Sequence, residues 1–457
     1  MSRYWALNTG LAAVLLLAFV VRLPGVPYGL PEHLIGDEEV NVYSALQMIQ
    51  LKTLFPVFHP DEFRLLYQPP MLSYVYVLFF VPTLAFLYLK AGMPETGAFA
   101  DMLTLDSSTL WVVGRLINIV ISTGSVFLLY HIAQSLFNDR RASLAASLLL
   151  ATSFIDATLS ATTRHWALGT FFSLLSLLFV VRYAQHPSRP LWLTALAGAV
   201  LGLSFGTSYL VYYAPFIGLL LLYFLWKDAR SLQIEKYLRP VVYFGLAFSV
   251  VGALLIAVAP QPFSQQVVHH FYGDRHTVPQ FLWFYVQTLL NYETPILVAS
   301  LCGFLALWMR KRYEILAIVS IFFATVLPIM YTFLWDLERY VQPLLPILAL
   351  VGGYAVSVLS DRIRYKHITI VLLSALLVYS GFVFGRYATL AVRNDTKLHA
   401  KEWVKAHIPA EILLVVDSER LRFRTTPSAV EYLASIEPSY TRAVDRMIQR
   451  TGRLEAD

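Results

Sequence analysis

The chain has 457 residues, of which 57% are hydrophobic and only 14% charged, with a formal net charge of +6. Soluble domains carry about 25% charged residues, and a soluble chain of this size could not hide so much apolar surface. The apolar residues come in blocks long enough to cross a membrane. The basic residues sit in short loops between the blocks, which orients the chain in a bilayer and argues against nucleic-acid binding, since no groove-reading motif is present.

Taken in order, Met1-Ser2-Arg3 and an apolar run to Val21 lead into Arg22-Leu23-Pro24-Gly25. No small-x-small cleavage site follows, so the run reads as an uncleaved first span at 5–22. Further spans are predicted at 110–137, 141–160, 165–183, 191–207, 208–226, 240–259, 292–309, 314–334, 340–360 and 367–388, about eleven in all. Basic loops at Arg140-Arg141, Arg182 to Arg189, Lys227 to Arg239, Arg310-Lys311-Arg312 and Arg362 to Lys366 all fall on one side if that side is cytoplasmic. The N-terminus is then inside, the C-terminus outside, and 24–109 is a large first outside loop. The apolar stretch 70–90 lies in that loop, broken by Pro69, Pro70 and Pro82, and is expected to lie along the outer interface. Cys302 sits inside an apolar block without partners at metal spacing and reads as a small buried hydrophobe.

The composition turns mixed after Asn394. A helix from Lys397 to His407, a strand over Glu411–Asp417 and a second helix over Pro427–Ile436 predict a small α/β appendage. The fold class is therefore an all-α polytopic membrane protein with interfacial helices and a small C-terminal α/β appendage. Residues 1–390 form the transmembrane domain and 391–457 the extracytoplasmic one.

The chemistry-bearing residues gather at the predicted outer surface. Asp37-Glu38-Glu39 follow the first span and precede a helical pattern. They read either as a helix N-terminus, with Asp37 as the cap, or as a proton acceptor or divalent-cation site. His59 and then Tyr67-Gln68 precede the double proline and are placed to contact an anionic head group or a sugar. Arg115 lies about one turn inside a span, where an arginine either snorkels to the surface or pairs with an anion such as a phosphate. Arg164-His165 form a short outside turn, and Arg339 opens a later span beside Asp336 and Glu338. His269-His270 with Asp274-Arg275-His276 match no strong metal spacing and fit a loop that contacts phosphate or sugar. A sugar on a lipid phosphate presents its anomeric carbon at this interface. Its transfer needs a base for the acceptor hydroxyl and cations for the departing phosphate.

Asp37-Glu38, Tyr67-Gln68-Pro69-Pro70-Met71-Leu72, Gly114-Arg115-Leu116 before Tyr130, Arg339-Tyr340 with Pro343 and Pro346, and the tail Asp395-Thr396-Lys397…Trp403-Val404…Ile408-Pro409 occur in an order that resembles a known superfamily. It is the GT-C superfamily of polyprenyl-phosphate-sugar-dependent glycosyltransferases, in its protein O-mannosyltransferase and aminoarabinose-transferase-like branch. The resemblance runs through most of the chain. It implies an inverting transfer from a polyprenyl-phosphate sugar to an acceptor hydroxyl on a lipid, glycan or protein outside a plasma membrane. It implies Asp37 as base, assisted by Glu38, and Arg115 at the phosphate. Arg339, His59, Gln68, Arg164 and His165 are further candidates for the donor phosphate, and Tyr67, His269 and His270 for substrate. Asp37, Glu38 and Glu39 are the candidates for a divalent cation, should one be used. The chain departs from the family pattern at Gln68, where relatives often have lysine, and after Arg164, where many carry an aspartate. The alternatives are a lipid-carrier transporter or flippase and a non-catalytic partner subunit. Transporters bury ionisable residues near the midplane, whereas here they lie at loop ends.

Overall fold

The computed structural model describes residues 9–409, apart from 31–34, 64–65, 106, 209–212, 228–233, 261, 264–276, 334–336, 363–365 and 394–395. The described residues are helical, with no strand among them. Helix α1 (Thr9–Arg22) opens the bundle. The segment from 23 to 107 carries α2 (Glu39–Leu51), α3 (Met71–Lys90) and α4 (Thr96–Leu105). The bundle continues with α5 (Ser108–Phe137), α6 (Arg140–Ala151), α7 (Phe154–Ser160), α8 (Trp166–Gln185), α9 (Leu191–Phe205), α10 (Tyr213–Lys227) and α11 (Ile234–Val258). It closes with α12 (Val278–Tyr292), α13 (Thr294–Met309), α14 (Tyr313–Phe333), α15 (Leu345–Arg362), α16 (Lys366–Arg393) and the short α17 (Thr396–His407).

Six of these helices are long and apolar enough to cross a membrane, or eight if the bent pairs α6–α7 (58°) and α12–α13 (114°) each make one span. Shorter apolar helices lie at 9–25, 191–205 and 213–227. Local sequence explains the breaks. Asn138 ends α5 in the left-handed region, and the Asp139 side chain caps α6 by accepting from Arg141 N at 2.8 Å. Ser153 caps α7 by accepting from Asp156 N at 3.2 Å.

Small residues let the helices close on one another, the usual device where lipid removes the hydrophobic drive between helices. A methyl added at Gly198 on α9 would stand 2.1 Å from the Phe244 carbonyl oxygen of α11. One at Gly303 on α13 would stand 2.2 Å from the Val351 oxygen of α15.

Helix α3 satisfies the length and apolarity needed for a span. Its buried residues, Leu72, Ser73, Tyr76 and Phe80, are confined to its first half. There it packs on Leu110 and Trp111 at the start of α5, while Leu78, Phe86 and Leu89 remain exposed. Cys302 departs from expectation: it is exposed on α13, not buried. Helix α17 coincides with the expected tail helix, whereas the expected strand at 411–417 and helix at 427–436 lie outside the described residues.

Candidate active site

The site forms where the loop before α2 meets the turn between α7 and α8. Asp37 adopts φ +65°, a conformation that aspartate tolerates better than most residues. Helix α2 begins at Glu39, and Glu38, its N-cap, makes no side-chain capping bond. The helix-cap reading of Asp37 therefore does not hold. The left-handed turn aims the carboxylate away from α2. Its Oδ1 accepts from the Tyr67 hydroxyl at 2.7 Å and its Oδ2 lies 3.2 Å from Nη2 of Arg164. The Asp37 side chain stays 42% exposed while that of Arg164 is 13% exposed.

Glu38, the next residue, points the opposite way and is fully buried. Its carboxylate takes a two-pronged bond from Arg115, Nε to Oε1 at 3.0 Å and Nη2 to Oε2 at 2.6 Å. The remaining Arg115 nitrogen, Nη1, donates to the carbonyls of Val26 (2.6 Å) and Tyr28 (2.7 Å). Arg115 is itself 0% exposed. It neither snorkels nor presents a free edge to a phosphate; its geometry ties the loop after α1 to α5.

This ion pair places the second half of the site. Glu38 Oε1 accepts from the backbone N–H of Thr163 at 2.7 Å, and Thr163 Oγ1 donates to the Glu38 carbonyl at 3.0 Å. Asn118 on α5 donates to the carbonyls of Thr162 (2.6 Å) and Arg164 (2.9 Å). Held from both sides, the turn delivers Arg164 to the Gly36 carbonyl, where both Nε and Nη2 donate, and to Asp37. Nη1 of Arg164 makes no hydrogen bond among the described residues.

His165 follows. Its Nδ1 lies 3.3 Å from Gln68 Oε1, which also accepts from Asn41 Nδ2 at 3.0 Å. In this network Nδ1 is the donor, which leaves Nε2 as an acceptor. Burial first, then the charges of Arg164 and Arg339, push the His165 imidazole down to about 3. His165 is thus neutral at physiological pH and is not a phosphate-holding cation. Arg339, at the start of the 3-10 helix Glu338–Leu344, rests 5.3 Å over its neighbour Tyr340 and adds positive potential at Arg164 and His165. Burial, and then the bond to Asp37, raises the Tyr67 hydroxyl and keeps its proton in place as a donor.

The structure thus gathers Asp37, Tyr67, Gln68, Arg164 and His165 into one group, with the charge of Arg339 acting on it. His59, after the 3-10 helix Pro56–Phe58, has no side-chain hydrogen bond to that group among the described residues. His269 and His270 lie outside the described residues. Asp37, Glu38 and Glu39 diverge, and no cluster of three His, Cys, Asp or Glu side chains among the described residues is set to hold a metal ion. Sequence reasoning missed Asn41 and Asn118. The available signal was polarity inside apolar helices, as in Val40-Asn41-Val42 and Ile117-Asn118-Ile119.

Known proteins resemble the chain in part of its sequence and in its fold. The sequence family described as dolichyl-phosphate-mannose-protein mannosyltransferase matches residues 98–259. No curated protein sequence matches the chain. Among solved structures, ArnT from Cupriavidus metallidurans bound to undecaprenyl phosphate is similar with a TM-score of 0.52 and 16% identity, over 84% of this chain and 65% of that one. The Archaeoglobus fulgidus oligosaccharyltransferase in complex with zinc and sulfate is similar with a TM-score of 0.50 and 13% identity, over 88% of this chain and 56% of that one. The chain spans between about half and two thirds of the length of these structures. The chain shares the fold of these two structures.

Proposed function

We propose that the chain is a GT-C-type glycosyltransferase that moves a sugar from a polyprenyl-phosphate carrier to an acceptor hydroxyl, with inversion at the anomeric carbon. The observation that carries this reading is the half-exposed Asp37 carboxylate, held by Tyr67 and Arg164 at the edge of an apolar bundle. Asp37 takes the proton of the acceptor hydroxyl as its oxygen attacks the anomeric carbon. The bond from that carbon to the phosphate oxygen breaks, and the electron pair leaves on the phosphate. Arg164, through its free Nη1 edge, and Arg339 stabilise the charge that develops there. Tyr67 fixes the Asp37 rotamer. Glu38 and Arg115 are positioning residues that set Arg164 against Asp37. The likeness to ArnT, solved with undecaprenyl phosphate, supports the carrier class.

The same reading places the protein in a plasma membrane with its N-terminus inside and its C-terminus outside, supported by the five basic loops. The acceptor is an extracytoplasmic lipid, glycan or protein. The test is mass spectrometry of lipids and glycans from cells carrying wild-type protein, Asp37→Asn or no protein. One sugar-mass increment should vanish alike in the last two. A change in the deletion strain that Asp37→Asn does not reproduce would instead favour a carrier transporter or a non-catalytic partner.

A further inference from the structure

Beside the Asp37 group a cleft opens into the bundle, between α8, the end of α9, the start of α10 and the 3-10 helix before α15. His165 stands in its wall, and behind His165 the lining is polar: Thr170, Ser173, Ser204, Thr207 and Gln342. These five side chains are all more than nine-tenths buried. Hydroxyls within an apolar bundle are costly to bury unless each finds a partner, and here each proton is already directed. Thr207 donates to the Ser204 carbonyl at 2.7 Å, Ser204 to the Gly169 carbonyl at 3.0 Å, and Thr170 to Gln342 Oε1 at 3.0 Å. Ser173 lies 3.0 Å from Ser204 and completes the pair as donor. Both amide hydrogens of Gln342 are occupied, by Asp156 Oδ1 at 3.1 Å and Thr170 at 2.7 Å.

The oxygens of these groups each keep a lone pair beyond the bonds above, and so does Nε2 of His165 in this tautomer. This part of the wall accepts hydrogen bonds, and the Ser208 hydroxyl and the Trp166 indole N–H, which also line the cleft, are its donors. A ring whose hydroxyls both donate and accept matches such a wall better than a phosphate, which brings only acceptors. Among the described residues the wall carries no formal charge. No acidic side chain among them lines it, and Asp156, the carboxylate behind Gln342, is paired with Arg22 at 2.6 Å. A ligand ammonium placed there would be desolvated without a counter-charge.

Resting on the glycosyltransferase reading above, we infer that this cleft is the seat of the donor's sugar ring, that it takes an uncharged polyhydroxylated sugar, and that Gln342 is a specificity-determining residue oriented by the Arg22–Asp156 pair. The phosphate stays at the mouth with Arg164, and the anomeric carbon lies between the two, beside Asp37.

The experiment measures binding to the full-length protein in nanodiscs. The probes are undecaprenyl phosphate bare, carrying a neutral hexose, or carrying an amino-sugar. In the wild type the neutral hexose should tighten binding by about tenfold over the bare carrier, the worth of one or two net hydrogen bonds. The amino-sugar should add nothing. Gln342→Leu should bring the hexose ratio to about one while leaving the bare carrier unchanged. Thr170→Val, which removes a smaller group, should do the same and serves where the first variant folds poorly. An unchanged hexose ratio in both variants, or a preference for the amino-sugar, overturns this assignment alone. Failure of all three probes to bind overturns the glycosyltransferase reading with it.

Discussion

Thr163 meets Glu38 twice, through its backbone N–H at 2.7 Å and its hydroxyl at 3.0 Å. That double contact joins two stretches 125 residues apart and sets the distance from Arg164 to Asp37. Asp37 and Glu38 are adjacent acids with opposite surroundings, one half-exposed beside a cation and one sealed against Arg115. Neighbouring carboxylates therefore answer to different tests.

Asp37→Asn should fold and bind the lipid-linked donor yet lose turnover, because the amide keeps the shape but takes no proton. Tyr67→Phe should keep Asp37 and lower kcat by about tenfold, the scale of one net hydrogen bond that holds its rotamer. Single-turnover transfer with a purified donor reads both; full turnover by Asp37→Asn would remove the base assignment.

Arg115→Met should destabilise the protein by about 3–5 kcal/mol, since it leaves Glu38 buried without its partner. The double variant Glu38→Gln with Arg115→Met should recover part of that loss, because the amide still accepts from Thr163. Thermal denaturation in detergent measures the pair. If Arg115→Met melts like wild type but loses donor affinity, Arg115 holds the phosphate after all.

Arg164→Ala should behave in the opposite sense. The side chain is only 13% exposed and bonds to the Gly36 carbonyl and Asp37, so some stability should be lost, but less than for Arg115, while donor affinity should fall by about tenfold to a hundredfold for a lost charge-assisted bond. Titration of the bare carrier phosphate separates this from an effect on the sugar.

His165 makes stability depend on acid. Its folded-state value of about 3 lies below the ordinary histidine value of 6.5. Between those two values the unfolded chain binds the extra proton and the folded chain does not. The contribution is present in full above pH 6.5 and is lost as pH falls toward about 3. His165→Gln should flatten that limb of the melting temperature against pH; an identical acid limb would show that another group carries it.

Gly198→Leu should disrupt the pairing of α9 with α11, because even its first carbon would fall 2.1 Å from a backbone oxygen that cannot move aside. Overpacking of this kind costs about 1–3 kcal/mol or more. Limited proteolysis of the membrane-embedded protein should show earlier cleavage than in wild type.

The apolar blocks alone determined that this is a membrane bundle, because a run of apolar residues has one cheap environment and every peptide in it must be hydrogen-bonded within a helix. The residues at the block ends likewise announced where chemistry gathers: Asp37, Tyr67, Arg164 and His165 were each legible as polar groups at the margin of an apolar run. What they do to one another was not. Arg115 and Arg164 are both arginines near the predicted outer surface, and both were candidates for the donor phosphate, Arg115 first through the family resemblance. Only the tertiary structure separates them, by burying one against Glu38 and leaving the other an open edge beside Asp37. The cleft was hidden for the same reason. Thr170, Ser204 and Gln342 are scattered single polar residues in three apolar segments, and they become one wall only when α8, α9 and the start of α15 pack together.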